Sequence, residues 1–253
     1  MKSIMYHYVR NFNPELPFFN FLSIKNFKNQ IEFFNKNKIL ENEKQFENNS
    51  AEIILTFDDG FKDHIYVAEE LKKKNVVGIF FISAYPLIED KFLDVHKAHL
   101  INGKVGGEEA LKALNEYLKK NKILNFIDKN EEKKFKHKYS RNDDPDEKKE
   151  FKKIINYYGD IKLKTKILDD LMAKFKIDIK PKEFYMTSDE VKYLSDMGMI
   201  IGSHSVNHNL LSRLSEEEQR NEIKNSKELI EDITKKKCNF FCYPYGGKDS
   251  YND

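Results

Sequence analysis

The most constraining feature of this chain is the stretch Ile53 to Gly60, an apolar run (Ile53, Ile54, Leu55, Thr56, Phe57) that stops on two adjacent carboxylates, Asp58 and Asp59, and then a glycine. Four to eight apolar, partly β-branched residues closed by a glycine turn read as a strand covered on both faces, and such strands belong to parallel α/β sheets and barrels. In those folds chemistry collects where the strands end, which is where the two aspartates lie.

The rest of the chain agrees with this class. At 253 residues it can bury one large core. Ser3 to Val9 reads as a first strand, and Phe27, Ile31 and Phe34 recur at helical spacing after Ser23, an N-cap residue. Residues 35–50 form a polar surface connection. Ile65, Ala68 and Leu71 mark a helix ending near Asn75, and Val76 to Ser83 is a second buried strand, completing a strand, helix, strand unit of the right-handed parallel kind.

From about residue 84 to 184 the pattern turns to Lys- and Glu-rich helical segments, which we read as a helical lobe inserted into one 253-residue domain. Asp143, Asp144 and Asp146 lack the glycine and distal glutamate of a calcium loop, so they read as solvated. His96, His99 and His137 have no partner at ligand spacing and read as surface or packing residues. The parallel pattern resumes at Thr187 and Glu190, spaced as a capping box, with Gly198 to end that helix. A strand at Met199 to Gly202, a helix opened by Ser215 and Glu218 with Ile223, Ile230 and Ile233, and a fifth strand at Asn239 to Tyr243 follow.

Composition narrows the partners. Lys plus Arg number 44 against 42 Asp plus Glu, a net charge of +2 that makes no electrostatic case for nucleic acid or an anionic membrane. No run approaches the roughly 20 apolar residues of a membrane span, and the start lacks a secretion signal's apolar segment, so the expected address is cytoplasmic. Cys238 and Cys242, four apart on a strand, would lie about 13 Å from each other, too far for a disulfide. They read as reduced packing residues set apart from the histidines.

His204 and His208 leave one strand and the aspartate pair leaves another, together offering two imidazoles and a carboxylate with a fourth position open to water. That is the donor set of a catalytic zinc site, and it suits iron(II) as well. A second carboxylate beside the ligand is free to take a proton. Taken singly, each could merely cap a helix or satisfy backbone amides; at the ends of neighbouring strands, the metal reading leads.

Thr56-Phe57-Asp58-Asp59-Gly60, His204-Ser205-Val206-Asn207-His208 and Tyr243-Pro244-Tyr245-Gly246 resemble the first three motifs of the polysaccharide deacetylases, the NodB-homology or family four carbohydrate esterases. The resemblance covers about residues 53–83 and 186–247. It implies a distorted (β/α)7 barrel, of which the five strands legible here are two short. It also implies metal-dependent hydrolysis of N-acetyl, occasionally O-acetyl, groups on a sugar or polysaccharide, with zinc or another divalent transition metal as cofactor.

By that resemblance Asp58 is the catalytic base, Asp59, His204 and His208 are the metal ligands, and Tyr243, Pro244 and Tyr245 line the substrate, with the Tyr245 backbone N–H on the oxyanion. Two departures stand out. Phe241 and Cys242 occupy the place of the family's base-holding arginine. The family's later tryptophan and histidine motifs would follow Gly247, where six residues remain and the chain has no tryptophan. Met5-Tyr6-His7-Tyr8-Val9 is similar to the first strand of a circularly permuted branch, the poly-N-acetylglucosamine deacetylases, which implies His7 as the general acid. Hydrolysis of a small non-sugar amide or imide, and a degenerate non-catalytic sugar-binding domain, are the competing readings.

Overall fold

The computed structural model describes residues 2–34, 39–48 and 50–252. Two compact units arise: residues 1–11, 21–91 and 179–253 form one, and residues 12–20 and 92–178 the other.

The first unit is built on parallel strands. The strands are β1 (Lys2–Tyr6), β2 (Val9–Arg10), β3 (Leu22–Ser23), β4 (Ile53–Asp58), β5 (Gly78–Ile82) and β6 (Ile200–Ser203). A four-stranded sheet runs β1-β4-β5-β6 with every pair parallel, while β2 and β3 pair separately, also in parallel. This is a mixed α/β architecture of the distorted (β/α)7-barrel kind. β4 is buried over most of its length, as a doubly covered strand must be.

Register ties the strands together just below the site. Tyr6 pairs with Phe57, Phe57 with Phe80 and Phe80 with Ile201, forming one row across the sheet. The Tyr6 and Phe57 rings stack at 5.2 Å and those of Phe57 and Phe80 at 4.7 Å, a contact worth about 0.5–1.5 kcal/mol per pair beyond burial. Phe27 and Ile31 of the helix Ile24–Phe34, and Val67, Ala68 and Leu71 of the helix Asp63–Lys73, complete the same core. The residues that follow this row after β1 and on β4 are His7 and Asp58.

Local signals are borne out where they are chemical. Ser23 Oγ accepts from the Asn26 N–H at 3.2 Å, and Thr187 with Glu190 and Ser215 with Glu218 form full capping boxes. Two strand expectations need correction. The first strand stops at Tyr6, because the chain crosses from β1 to the separate β2–β3 pair, leaving His7 and Tyr8 between the two sheets. The fifth strand shrinks to a single bridge, Ser203 to Phe241. Pro244 has no N–H to donate, and Tyr245 and Gly246 at φ +67° and +58° turn the backbone away. The connection expected over residues 35–50 includes a short helix, Glu43–Glu47, with Leu40 fully buried; residues 35–38 and 49 lie outside the described residues.

The second unit is helical, with segments Asp94–Lys120, Lys129–Phe135, Asp146–Lys153 and Ile161–Lys174 around buried Phe126, Phe135, Phe151 and Tyr158. Asp128 and Asp160 cap two of these helices through their side chains. The helical run over Phe151 to Leu171 is broken by a π turn at Ile154–Tyr158 and by Gly159, where an added Cβ would stand 2.6 Å from the Ile154 carbonyl oxygen. Asp144 accepts from Lys148 and Lys152 at 3.0 Å each and from Asn20 at 3.0 Å. Burial would raise its pKa, yet these donors outweigh burial and hold it at about 2, so its oxygens are committed to lysines rather than to a cation.

Candidate metal centre and its surroundings

β4 delivers Asp58 and Asp59, and the bend after it is tight: Asp59 has φ +78° and Gly60 φ +72°. A Cβ on Gly60 would meet Ile82 Cγ2 at 3.2 Å, so glycine is required there for both conformation and space. β6 delivers His204, and the loop that follows also uses the left-handed region, at Ser205 (φ +62°) and His208 (φ +53°). With Tyr245, four non-glycine residues of the site hold positive φ. Such conformations persist only where surrounding structure enforces them, and they gather at functional sites.

Those bends bring three buried donors to one point. His204 Nε2 lies 3.4 Å and His208 Nε2 3.2 Å from Asp59 Oδ1, and the three ligand atoms all fall within 4.8 Å of one another. Ligand atoms held about 2.0–2.2 Å from one ion stand roughly 3–3.5 Å apart, so the set fits a divalent transition metal. Electrostatics agrees. Asp58 and Asp59 are each 3% exposed, and two adjacent carboxylates out of water are expensive unless a cation compensates them.

Each ligand has support behind it. His204 Nδ1 lies 2.7 Å from the Cys242 carbonyl oxygen, which makes Nδ1 the protonated nitrogen and turns Nε2 toward Asp59. Glu222, reaching from the helix Glu216–Thr234, accepts from the Val206 and Asn207 N–H groups at 2.9 and 2.8 Å and from Asn207 Nδ2 at 2.5 Å. Ser205 Oγ accepts from the His208 N–H at 3.1 Å. The histidine loop is therefore held by side chains as well as by its own backbone.

Asp58 stands beside this group. Burial pushes its pKa above the ordinary carboxylate range, the Asp59 charge adds to that, and the imidazoles of His204 and His7 oppose it. For His204, burial alone would favour the neutral ring; hydrogen bonds to Asp59 and Cys242 and the charges of both aspartates outweigh it and raise its pKa. His7 also reaches the cluster, with Nε2 3.7 Å from Asp59 Oδ2 and its side chain 37% exposed. The Tyr6 to Phe57 register explains this, since His7 follows Tyr6 just past the end of β1 and Asp58 follows Phe57 at the end of β4.

Tyr245 packs its ring edge-on against His208 at 5.0 Å, and Pro244 is buried. Tyr243 is exposed, and its ring lies 4.9 Å from that of Tyr251. Among the expected site residues all are thus in one neighbourhood except the Tyr243 ring, which turns outward.

Three further residues escaped the sequence. Cys242, expected to be set apart from the histidines, has its Sγ 3.7 Å from Asp58 Oδ2, because the Ser203 to Phe241 bridge carries the next residue up to the site. His64 Nε2 donates to the His7 carbonyl at 2.9 Å, and burial lowers its pKa to about 4. Glu222 heads a buried stripe of Glu222, Ser226, Ile230 and Thr234. A glutamate in register with a buried isoleucine was the one available signal.

Comparison with known proteins extends the geometry. The polysaccharide deacetylase family model matches residues 162–253, which contain His204, His208 and Tyr245 but not Asp58 or Asp59. No curated protein matches the chain in sequence. Among solved structures, the Streptococcus pyogenes deacetylase PplD in complex with acetate aligns at TM-score 0.55 and 16% identity, over 99% of this chain and 75% of that one. IcaB from Ammonifex degensii aligns at 0.52 and 12%, over 98% and 76%, and BC0361, a polysaccharide deacetylase from Bacillus cereus, at 0.51 and 18%, over 98% and 51%. The chain thus spans about half the length of the Bacillus protein. It shares a fold with these proteins over nearly its whole length, and its residues 162–253 match the sequence pattern of the polysaccharide deacetylase family.

Proposed function

We propose that this chain is a metal-dependent hydrolase that removes the acetyl group from an N-acetylated sugar or polysaccharide, cleaving a carbon–nitrogen bond that is not a peptide bond. The observation that carries the proposal is the meeting of Asp59, His204 and His208 within 4.8 Å, with Asp58 adjacent in sequence and His7 Nε2 3.7 Å from Asp59. Zinc is the proposed ion on donor type, with another divalent transition metal as the substitute. When bound, the ion would polarise the acetyl carbonyl and acidify water beside it.

The residues then have distinct tasks. Asp58, buried and raised in pKa, takes the proton of the attacking water as its oxygen bonds to the carbonyl carbon. The Tyr245 N–H donates to the oxygen that becomes negative, a role for which a backbone locked at φ +67° is prearranged. The carbon–nitrogen bond breaks as His7, the most exposed imidazole of the group, gives its proton to the departing nitrogen. Acetate and a free amine result. The acetate in the streptococcal neighbour supports the acyl half of this reading. Tyr243 and Tyr251 present exposed rings on which a sugar face can stack.

The test is metal analysis of the purified protein coupled to acetate release from N-acetyl chitooligosaccharides. About one ion per chain and stoichiometric acetate are expected. Sugar bound at the site with neither metal nor acetate would overturn the proposal.

A further inference from the structure

We propose that the pocket contains a second metal seat, formed by Asp58, His204 and Cys242, that captures thiophilic divalent cations. Filling it stops turnover by taking the carboxylate of Asp58. The seat itself stands on geometry alone; its inhibitory consequence rests on the deacetylase reading above.

Cys242 Sγ lies 3.7 Å from Asp58 Oδ2, and one donor atom from each of the three residues falls within 4.8 Å of the others. An ion bound to sulfur at about 2.3 Å and to oxygen and nitrogen at about 2.0–2.2 Å separates its ligands by about 3.5 Å, so little movement is needed. An independent observation points the same way. Asp58 is 3% exposed, and its Oδ1 is buried with no hydrogen-bond donor, an arrangement that is costly unless something satisfies the oxygen.

The two seats differ in kind. Asp59, His204 and His208 offer only nitrogen and oxygen, whereas the second trio includes a thiol, which selects softer ions. His204 belongs to both trios, so an ion in either competes for the same imidazole. Cys242 is only partly buried and can be reached from solvent, whereas Cys238 is buried and directs its thiol at the Phe240 carbonyl. On binding, a sulfur–metal bond forms and the thiol proton passes to solvent, with no change of oxidation state.

The test is titration of the whole protein with cadmium chloride, followed by the ultraviolet charge-transfer absorption of a cadmium–thiolate bond. The band is expected in the native chain and in Cys238→Ala, lost in Cys242→Ser and Cys242→Ala, and shifted at least tenfold to higher cadmium in Asp58→Asn. Alkylation of Cys242 by iodoacetamide, followed by mass spectrometry on the unaltered chain, should slow at least tenfold when cadmium is bound. That readout needs no variant to fold. Acetate release by the zinc-loaded protein should fall with cadmium, and Cys242→Ser, compared with its own cadmium-free rate, should need at least tenfold more.

A band that survives loss of Cys242, cadmium bound without a band, or an affinity indifferent to Asp58→Asn would overturn the seat. A chain that releases no acetate with any metal would sink the deacetylase reading, while the absorption would still decide the seat.

Discussion

His7 Nε2 stands 3.7 Å from Asp59 Oδ2, an approach made by the parallel pairing of the first strand with the central one. It places an accessible imidazole beside the aspartate pair.

Asp58→Asn should retain metal and lose about 10²- to 10⁴-fold in kcat, since it removes proton acceptance and not a ligand. Bound metal and acetate release measured on one preparation check this. Full activity would remove Asp58 from its proposed role.

For His7, the leaving group decides. An amine must be protonated to depart, whereas an aryl acetate's phenolate need not be. His7→Gln should therefore cut kcat on N-acetyl substrates about 10²- to 10⁴-fold while sparing aryl acetates. Equal losses on both would contradict a proton-donor role.

Asp59→Asn and His208→Ala should abolish stoichiometric metal. A ligand at 100 times its Kd stabilises the folded state by about 2.7 kcal/mol, so a chelator should lower the Tm of the native chain and leave these variants unmoved. Metal content and melting curves with and without chelator check it.

Glu222→Ala leaves the Val206 and Asn207 N–H groups without their acceptor. We expect a stability loss of about 1–3 kcal/mol and metal affinity reduced about 10- to 100-fold, because the loop holding both histidines loosens. Unfolding in urea and competitive metal titration measure the two effects separately.

His64 sets a pH dependence of stability. Its pKa falls from 6.5 to about 4 on folding because burial disfavours the charged ring. Between those values the unfolded chain binds the extra proton, so stability is complete above about pH 6.5 and declines as pH falls toward 4. From pH 7 to pH 5 the contribution is about 2 kcal/mol. His64→Gln should flatten that part of the urea-unfolding profile, measured with chelator present for both proteins; an unchanged slope would exclude His64 as its source.

The sequence by itself determined whatever depends on neighbours along the chain. Strand Ile53–Asp58, the capping boxes at Thr187 and Ser215, and the His204 to His208 spacing follow from periods and caps that act over a few residues, and they were legible for that reason. Only the tertiary structure decided which strand ends adjoin. The register that sets His7 beside Asp58, the bridge that brings Cys242 to the same carboxylate, and the reach of Glu222 under the histidine loop all join residues distant along the chain. Strand pairing and side-chain reach act across space, and a buried glutamate or a packed thiol looks like any other until the sheet beside it has formed.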